Sequence, residues 1–195
     1  MIFIIRHGQT ALNRADVLQG RSDQPLNEIG ERQAREVGEW LRRRGIVFDR
    51  VYCSPLIRAV QTAKLIAEAA PFQMDERLIE MDYGPYEGID LKHLPPEIMA
   101  FFGDFVHVPA PEGMEPLASV VERLGVFLEE IRGTAGKGNI LISTHAIAMK
   151  GALEYLTPAS RGSYWSKYIG NCAVYTSELA DGAYTVPVEL LRDAE

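Results

Sequence analysis

Short, almost wholly apolar runs alternate along this chain with longer stretches of helical periodicity, and that alternation restricts the layouts open to it. Met1-Ile2-Phe3-Ile4-Ile5 and Asn139-Ile140-Leu141-Ile142-Ser143 read as strands buried on both faces, and Arg50-Val51-Tyr52-Cys53 as a shorter one. Asn27 suits the cap of a helix running to about Arg44 and stopped by Gly45, with Ile29, Ala34, Val37 and Leu41 on one face. Helical spacing recurs in Leu56, Ala59, Val60, Ala63 and Ala67, again in Leu117, Val120, Val121, Leu124, Leu128 and Ile131, and near 147–156. Strands covered on both sides require helices on both sides. The expected fold is therefore α/β, a three-layer sandwich with a mostly parallel sheet. Segments 173–177 and 184–190, separated by Ala180-Asp181-Gly182, read as a closing hairpin that supplies an antiparallel edge strand.

At 195 residues the chain suits one domain spanning 1–195. A further extended piece is expected near 75–79. Residues 81–115, rich in proline and glycine, read as a loop or cap excursion over the strand ends, with at most a short helix near 97–102. A net charge of −7 argues against nucleic acid and against an anionic membrane surface as partners. Only five apolar residues precede Arg6, too few for a signal peptide or a transmembrane span. Cys53 and Cys172 lack metal-ligand spacing and read as reduced core thiols, so a cytoplasmic location is expected.

The chemistry sits where the strands stop. Arg6 and His7 follow the first, with Gly8 next to allow backbone and ligand to approach closely. Ser54, Pro55 and Arg58 follow the second, Glu80 the third and His145 the fourth. In a parallel sheet those ends meet along one edge. Such a set suits phosphoryl transfer through a covalent intermediate: a neutral imidazole attacks phosphorus, and the resulting phosphorus–nitrogen bond passes its group to water. Arg6 and Arg58 supply donors for the equatorial oxygens, protonated His145 a third positive donor, and Asn13 a neutral one. Glu80 serves as the acid that protonates the departing oxygen, with Asp82 and Glu87 as rivals in the same loop. His93 and His107 stand apart from strand ends, and Arg42-Arg43-Arg44 suits a solvated helix C-terminus. Phe101, Phe102, Phe105, Tyr164, Trp165 and Tyr168 read as packing, with some of the three phenylalanines, in the loop after Glu80, at a substrate entrance.

Arg6-His7-Gly8-Gln9-Thr10 with Asn13 resembles the opening motif of the histidine phosphatase superfamily, in its phosphoglycerate-mutase-like branch. The resemblance continues through Leu18-Gln19-Gly20, Asp23-Gln24-Pro25-Leu26, Gly30-Glu31-Arg32-Gln33-Ala34, Ser54-Pro55-Leu56 with Arg58-Ala59 and Thr62, and Leu78-Ile79-Glu80 with Gly84 and Glu87-Gly88. Pro111 to Glu115 with Arg123, and Ser143-Thr144-His145, complete it. It implies His7 as phospho-acceptor, Arg6, Asn13, Arg58 and His145 as phosphate ligands, and Glu80 as acid/base. Thr10, Gln19, Gly20 and Ala146 join the implied substrate-binding set, and no metal or cofactor is implied.

Ala146 stands where the family often carries glycine. Between Ile89 and Glu115 the only lysine or arginine is Lys92, so no cation there is ready to grip a phosphoglycerate carboxylate. Hydrolysis is therefore favoured. The expected activity is a metal-independent phosphatase acting on a small phosphorylated metabolite through phosphohistidine. A cofactor-dependent phosphoglycerate mutase is the alternative, and a non-catalytic phosphate-binding regulator ranks below it. The edge strand of the hairpin gives a geometric opportunity for a homodimer.

Overall fold

A computed structural model describes residues 1–190. The chain runs β1 (Ile2–Arg6), α1 (Ala11–Arg14), α2 (Glu28–Arg43), β2 (Arg50–Cys53), α3 (Ile57–Ile66) and β3 (Phe72–Met74). There follow α4 (Pro96–Gly103), α5 (Leu117–Ala135), β4 (Ile140–Thr144), α6 (Ala146–Leu156), β5 (Val174–Ser177), β6 (Leu179–Ala180), β7 (Ala183–Tyr184) and β8 (Val188–Leu190). Six strands form one sheet in the order β3-β2-β4-β1-β5-β8. β1 to β4 run parallel, β5 runs antiparallel to β1, and β8 lies outside β5 at the edge.

Alternation along the central strands divides the core into two layers. Ile2 and Ile4, with Ile140 and Ile142, pack on α5 and α6 through Leu124, Phe127 and Leu153. Phe3 and Ile5, with Val51 and Leu141, point the other way against Ala34, Val37 and Leu41 of α2 and Ala63 of α3. Covering both faces is what makes the sequences of β1 and β4 read as unbroken apolar runs. Among the described residues no helix is long and apolar enough to cross a membrane. Cys53 and Cys172 are buried thiols.

Two expectations are corrected. The third strand is Phe72–Met74, and Glu76–Leu78 within the expected extended piece is instead a 3-10 turn. The Asp75 carboxylate accepts from the Arg77 backbone N–H at 2.9 Å, which closes the turn. Glu80 therefore follows a turn rather than a strand. The closing hairpin is also divided. β5 and β8 pair with each other, while β6 and β7 form a separate two-stranded ribbon through Asp181 and Gly182, at φ of 51° and 79°. Segment 81–115 carries α4 where a short helix was expected, and a 3-10 turn at Gly84–Tyr86.

Candidate active site

Strand register brings the site together. Arg6 lies opposite Thr144 in the β1–β4 ladder, so His7 and His145 leave the sheet side by side, their ring centroids 5.1 Å apart. Cys53 lies opposite Ser143 between β2 and β4, which sets Ser54 beside His145. The His7 Nδ1 lies 2.7 Å from the Gly8 carbonyl oxygen. A carbonyl only accepts, so Nδ1 carries the proton and the Nε2 lone pair is left to act. Arg58 Nε donates toward that Nε2 at 3.3 Å, in agreement. Burial, reinforced by the charges of Arg6 and Arg58, holds the His7 imidazole well below its ordinary pKa. It is neutral at pH 7.

Arg58 is the largest of the wholly buried side chains. Its Nε also faces His145 Nδ1 at 3.2 Å, while its two terminal nitrogens donate to the carbonyls of Ser22 (2.7 Å) and Gly20 (2.5 Å). Burial lowers its pKa to about 10, still well above neutrality. His145 accepts at Nδ1 and donates through Nε2 to the Ser54 hydroxyl at 2.7 Å. The proton assigned to His145 from sequence is not supported: burial, with Arg58 next in weight, pushes its pKa well below the ordinary value. Sequence shows the two cations together but not that the guanidinium occupies the imidazole's acceptor.

A cavity of about 360 Å³ opens in front of these groups. Arg6, His7, Asn13, Gln19, Glu80 and Ala146 all line it, whereas Arg58 and His145 are wholly buried beside His7 and are not part of its wall. Arg6 donates to the Ile169 carbonyl at 2.5 Å, and its Nε has no hydrogen-bond partner among the described residues. Asn13 Oδ1 accepts from Thr10 N at 3.2 Å and Asn171 Nδ2 at 3.3 Å, which turns its amide N–H₂ outward. Gln19 behaves likewise: its oxygen takes the Thr10 hydroxyl at 2.7 Å, and its buried Nε2 has no partner among the described residues. Thr10 is itself wholly buried, so it orients Asn13 and Gln19 without reaching the cavity. Gly20 too acts from behind, through its carbonyl on Arg58. Gly8 admits α2 rather than a ligand, since a Cβ there would lie 2.5 Å from the Gly30 carbonyl oxygen.

Glu80 is held by the N-terminus of α6. Its carboxylate accepts from Met81 N (2.9 Å), Ala148 N (2.9 Å) and Ile147 N (3.2 Å). The rivals are elsewhere. Asp82 accepts from Gly84 N and pairs with Arg21, while Glu87 accepts from the backbone N–H groups of Gly20, Arg21 and Ser22. That same turn returns two carbonyls to Arg58, so Glu87 is a positioning residue behind the arginine. His93 and His107 pair locally with Asp90 and Asp104 at the surface.

Sequence reasoning missed Lys150 and Asn171. Lys150 lies on the cavity wall four residues after Ala146, a spacing that places both on one helix face and was readable. Asn171 donates to the His7 carbonyl at 3.0 Å from 164 residues away, and no local pattern announces that. Among the described residues no three histidine, cysteine or carboxylate side chains gather as metal ligands.

Comparison with known proteins agrees with this geometry. Phosphoserine phosphatase 1 of Hydrogenobacter thermophilus is 30% identical over 170 residues, covering 85% of this chain and 80% of that protein. A probable phosphoglycerate mutase GpmB of Yersinia pestis is 34% identical over 154 residues, covering 76% and 70%. The crystal structure of a mutant phosphoserine phosphatase from Entamoeba histolytica, in complex with phosphoserine, superposes with a TM-score of 0.82. It is 26% identical, with 96% of this chain and 93% of that one covered. The sequence profile of the histidine phosphatase superfamily (branch 1) matches residues 2–189, and this chain belongs to that family.

Proposed function

We propose that this chain hydrolyses small phosphomonoesters by passing the phosphoryl group through His7. One observation carries the reading: the neutral His7 imidazole is fixed in the tautomer that leaves Nε2 nucleophilic, against a buried guanidinium and beside a cavity that holds Glu80. Nε2 attacks phosphorus, the P–N bond forms and the ester P–O bond breaks, while Glu80 gives its proton to the departing oxygen. Water then attacks the phosphohistidine, Glu80 takes a proton from it, the P–N bond breaks and inorganic phosphate leaves. As the phosphoryl group arrives, Arg58 exchanges an imidazole acceptor for a phosphate oxygen, and the anion's field favours a proton on His145. Arg6 and the amides of Asn13 and Gln19 complete the cradle. The phosphatase names of relatives at 30% and 26% identity support the reaction class.

We read the chain as one catalytic domain with 81–115 as its cap, and buried thiols at Cys53 and Cys172 support a reducing, cytoplasmic setting. The mutase relative at 34% identity keeps a second reading alive. Supplying 3-phosphoglycerate with a catalytic amount of the bisphosphate separates the two: release of inorganic phosphate supports hydrolysis, and 2-phosphoglycerate supports mutase action. The direct test uses a radiolabelled ester. Wild-type protein should yield an acid-labile phosphoenzyme, and His7→Ala should lose both the label and turnover of p-nitrophenyl phosphate. Turnover that survives in His7→Ala would overturn the reading.

A further inference from the structure

Glu80 has no strand or helix to hold its backbone. It falls between the 3-10 turns Glu76–Leu78 and Gly84–Tyr86, outside both sheets. The first turn of α6 grips its carboxylate through the Ile147 and Ala148 N–H groups, and that grip is strongest on the ionised form, because a charged acceptor makes the stronger bonds. A general acid starts its work protonated. Placement of Glu80 at that moment therefore calls for support on the main chain.

Arg123 of α5 supplies it. Its Nη1 donates to the carbonyls of Arg77 and Ile79, both at 2.7 Å, on the N-terminal side of Glu80. Its Nε and Nη2 grip the Glu115 carboxylate as a fork, at 2.7 and 3.2 Å. Glu115 in turn accepts the Asp82 backbone N–H at 3.1 Å, and its own N–H donates to the Asp82 carbonyl at 2.8 Å. The clasp thus fastens the main chain on both sides of Glu80, at 79 and at 82. Thr144, at the end of β4, adds a bond to the Leu78 carbonyl at 2.7 Å. Burial decides which arginine of this cluster matters. The Arg123 and Glu115 side chains are 17% and 11% exposed, whereas Arg21, which reaches Glu115 at 3.6 Å, is 44% exposed and screened by water. A planar guanidinium can meet one carboxylate and two carbonyls at once, and the three donors of an ammonium have no such fixed fork. Resting on the phosphatase reading, we infer that the Arg123–Glu115 pair positions Glu80 for proton transfer to the departing oxygen. Neither side chain lines the catalytic cavity, so both act through Glu80 as positioning residues.

Phenyl phosphate and p-nitrophenyl phosphate separate this role from a merely structural one. Phenolate is the more basic leaving group and depends on the acid, whereas nitrophenolate departs with little help. Because kcat/KM covers the steps up to the phosphohistidine, the phenyl-to-nitrophenyl ratio reads acid placement, and any loss of folded protein or of phosphate binding cancels from it. Glu80→Gln should lower that ratio by about a hundredfold, the scale of lost general-acid catalysis. Arg123→Met should lower it roughly tenfold, and Arg123→Lys nearly as much, since a misplaced acid loses part of the same factor. Glu115→Gln is isosteric and turns an amide donor toward the Asp82 and Arg123 N–H groups, so it should move the ratio in the same direction. A ratio that stays at the wild-type value in Arg123→Met, or in Glu115→Gln where the first variant does not fold, overturns the inference even if both esters turn over more slowly. Failure of the parent reading looks different: wild-type protein would release inorganic phosphate from neither ester, or turnover would survive in His7→Ala.

Discussion

At the scale of single residues, two hydrogen bonds and one desolvation decide what His7 is able to do. The Gly8 carbonyl selects the tautomer, Arg58 marks the lone pair, and burial keeps that lone pair free of a proton. The acid limb of kcat/KM for an aryl phosphate should therefore fall well below pH 6.5, and a midpoint at or above 6.5 would contradict a depressed imidazole. Stability follows the same sign. Below the unfolded pKa near 6.5 the unfolded chain binds protons at His7 and His145 that the folded chain refuses. Stability should fall as pH drops from there through the folded values, by about 1.4 kcal/mol per pH unit for each imidazole. Chemical denaturation at a series of pH values measures it. Glu87 acts one layer out. Glu87→Ala strips the acceptor from three backbone N–H groups that shape the Gly20–Ser22 turn, at a cost of about 1–3 kcal/mol. Since that turn holds Arg58, kcat should fall by tenfold or more while binding of a generic aryl phosphate weakens less. Wild-type kcat in Glu87→Ala would show that Arg58 needs no such support.

At the scale of elements, the parallel register of β1, β4 and β2 aligns the strand ends, and the start of α2 is pressed against the loop after His7. A Cβ on Gly30 would lie 2.1 Å from the Gln9 carbonyl oxygen, backbone against backbone. Gly30→Ala must therefore shift either the helix or the loop, at about 1–3 kcal/mol, and turnover should fall along with melting temperature. A variant as stable and active as wild type would show that the contact yields freely. The elements also show what was legible. β1, β2 and β4 were readable to within a residue because burial on both faces leaves an uninterrupted apolar signature. β3 was not, since an edge strand of three residues, none fully buried, carries no such signature.

For the molecule as a whole, a net charge of −7 coexists with a cavity that gathers Arg6 and Lys150, with Arg58 against His7. The positive charge that phosphoryl transfer requires is thus carried by side chains. Treatment with a chelator such as EDTA should leave hydrolysis of p-nitrophenyl phosphate by the full chain intact, and lost activity restored by a divalent cation would overturn this account. The 81–115 segment extends the same division of labour, with Phe102 and Phe105 forming the apolar side of a pocket whose polar side comes from β1, α1 and α6.

What the chain announces in linear form is whatever local physics writes into short spacings: apolar runs for buried strands, periodic faces for helices, and the Arg-His-Gly, Ser-Pro and Thr-His dipeptides and tripeptides where strands end. Those singled out His7, Arg58 and His145, whereas Glu80 rested on the family resemblance and on an expected strand that is a turn. Folding alone decided which nitrogen of His7 is bare, that His145 is uncharged, that Asn171 reaches the His7 carbonyl, and that Lys150 lines the same cavity. Each of those depends on distance and desolvation between groups far apart along the backbone, and neither quantity exists until the chain closes around them.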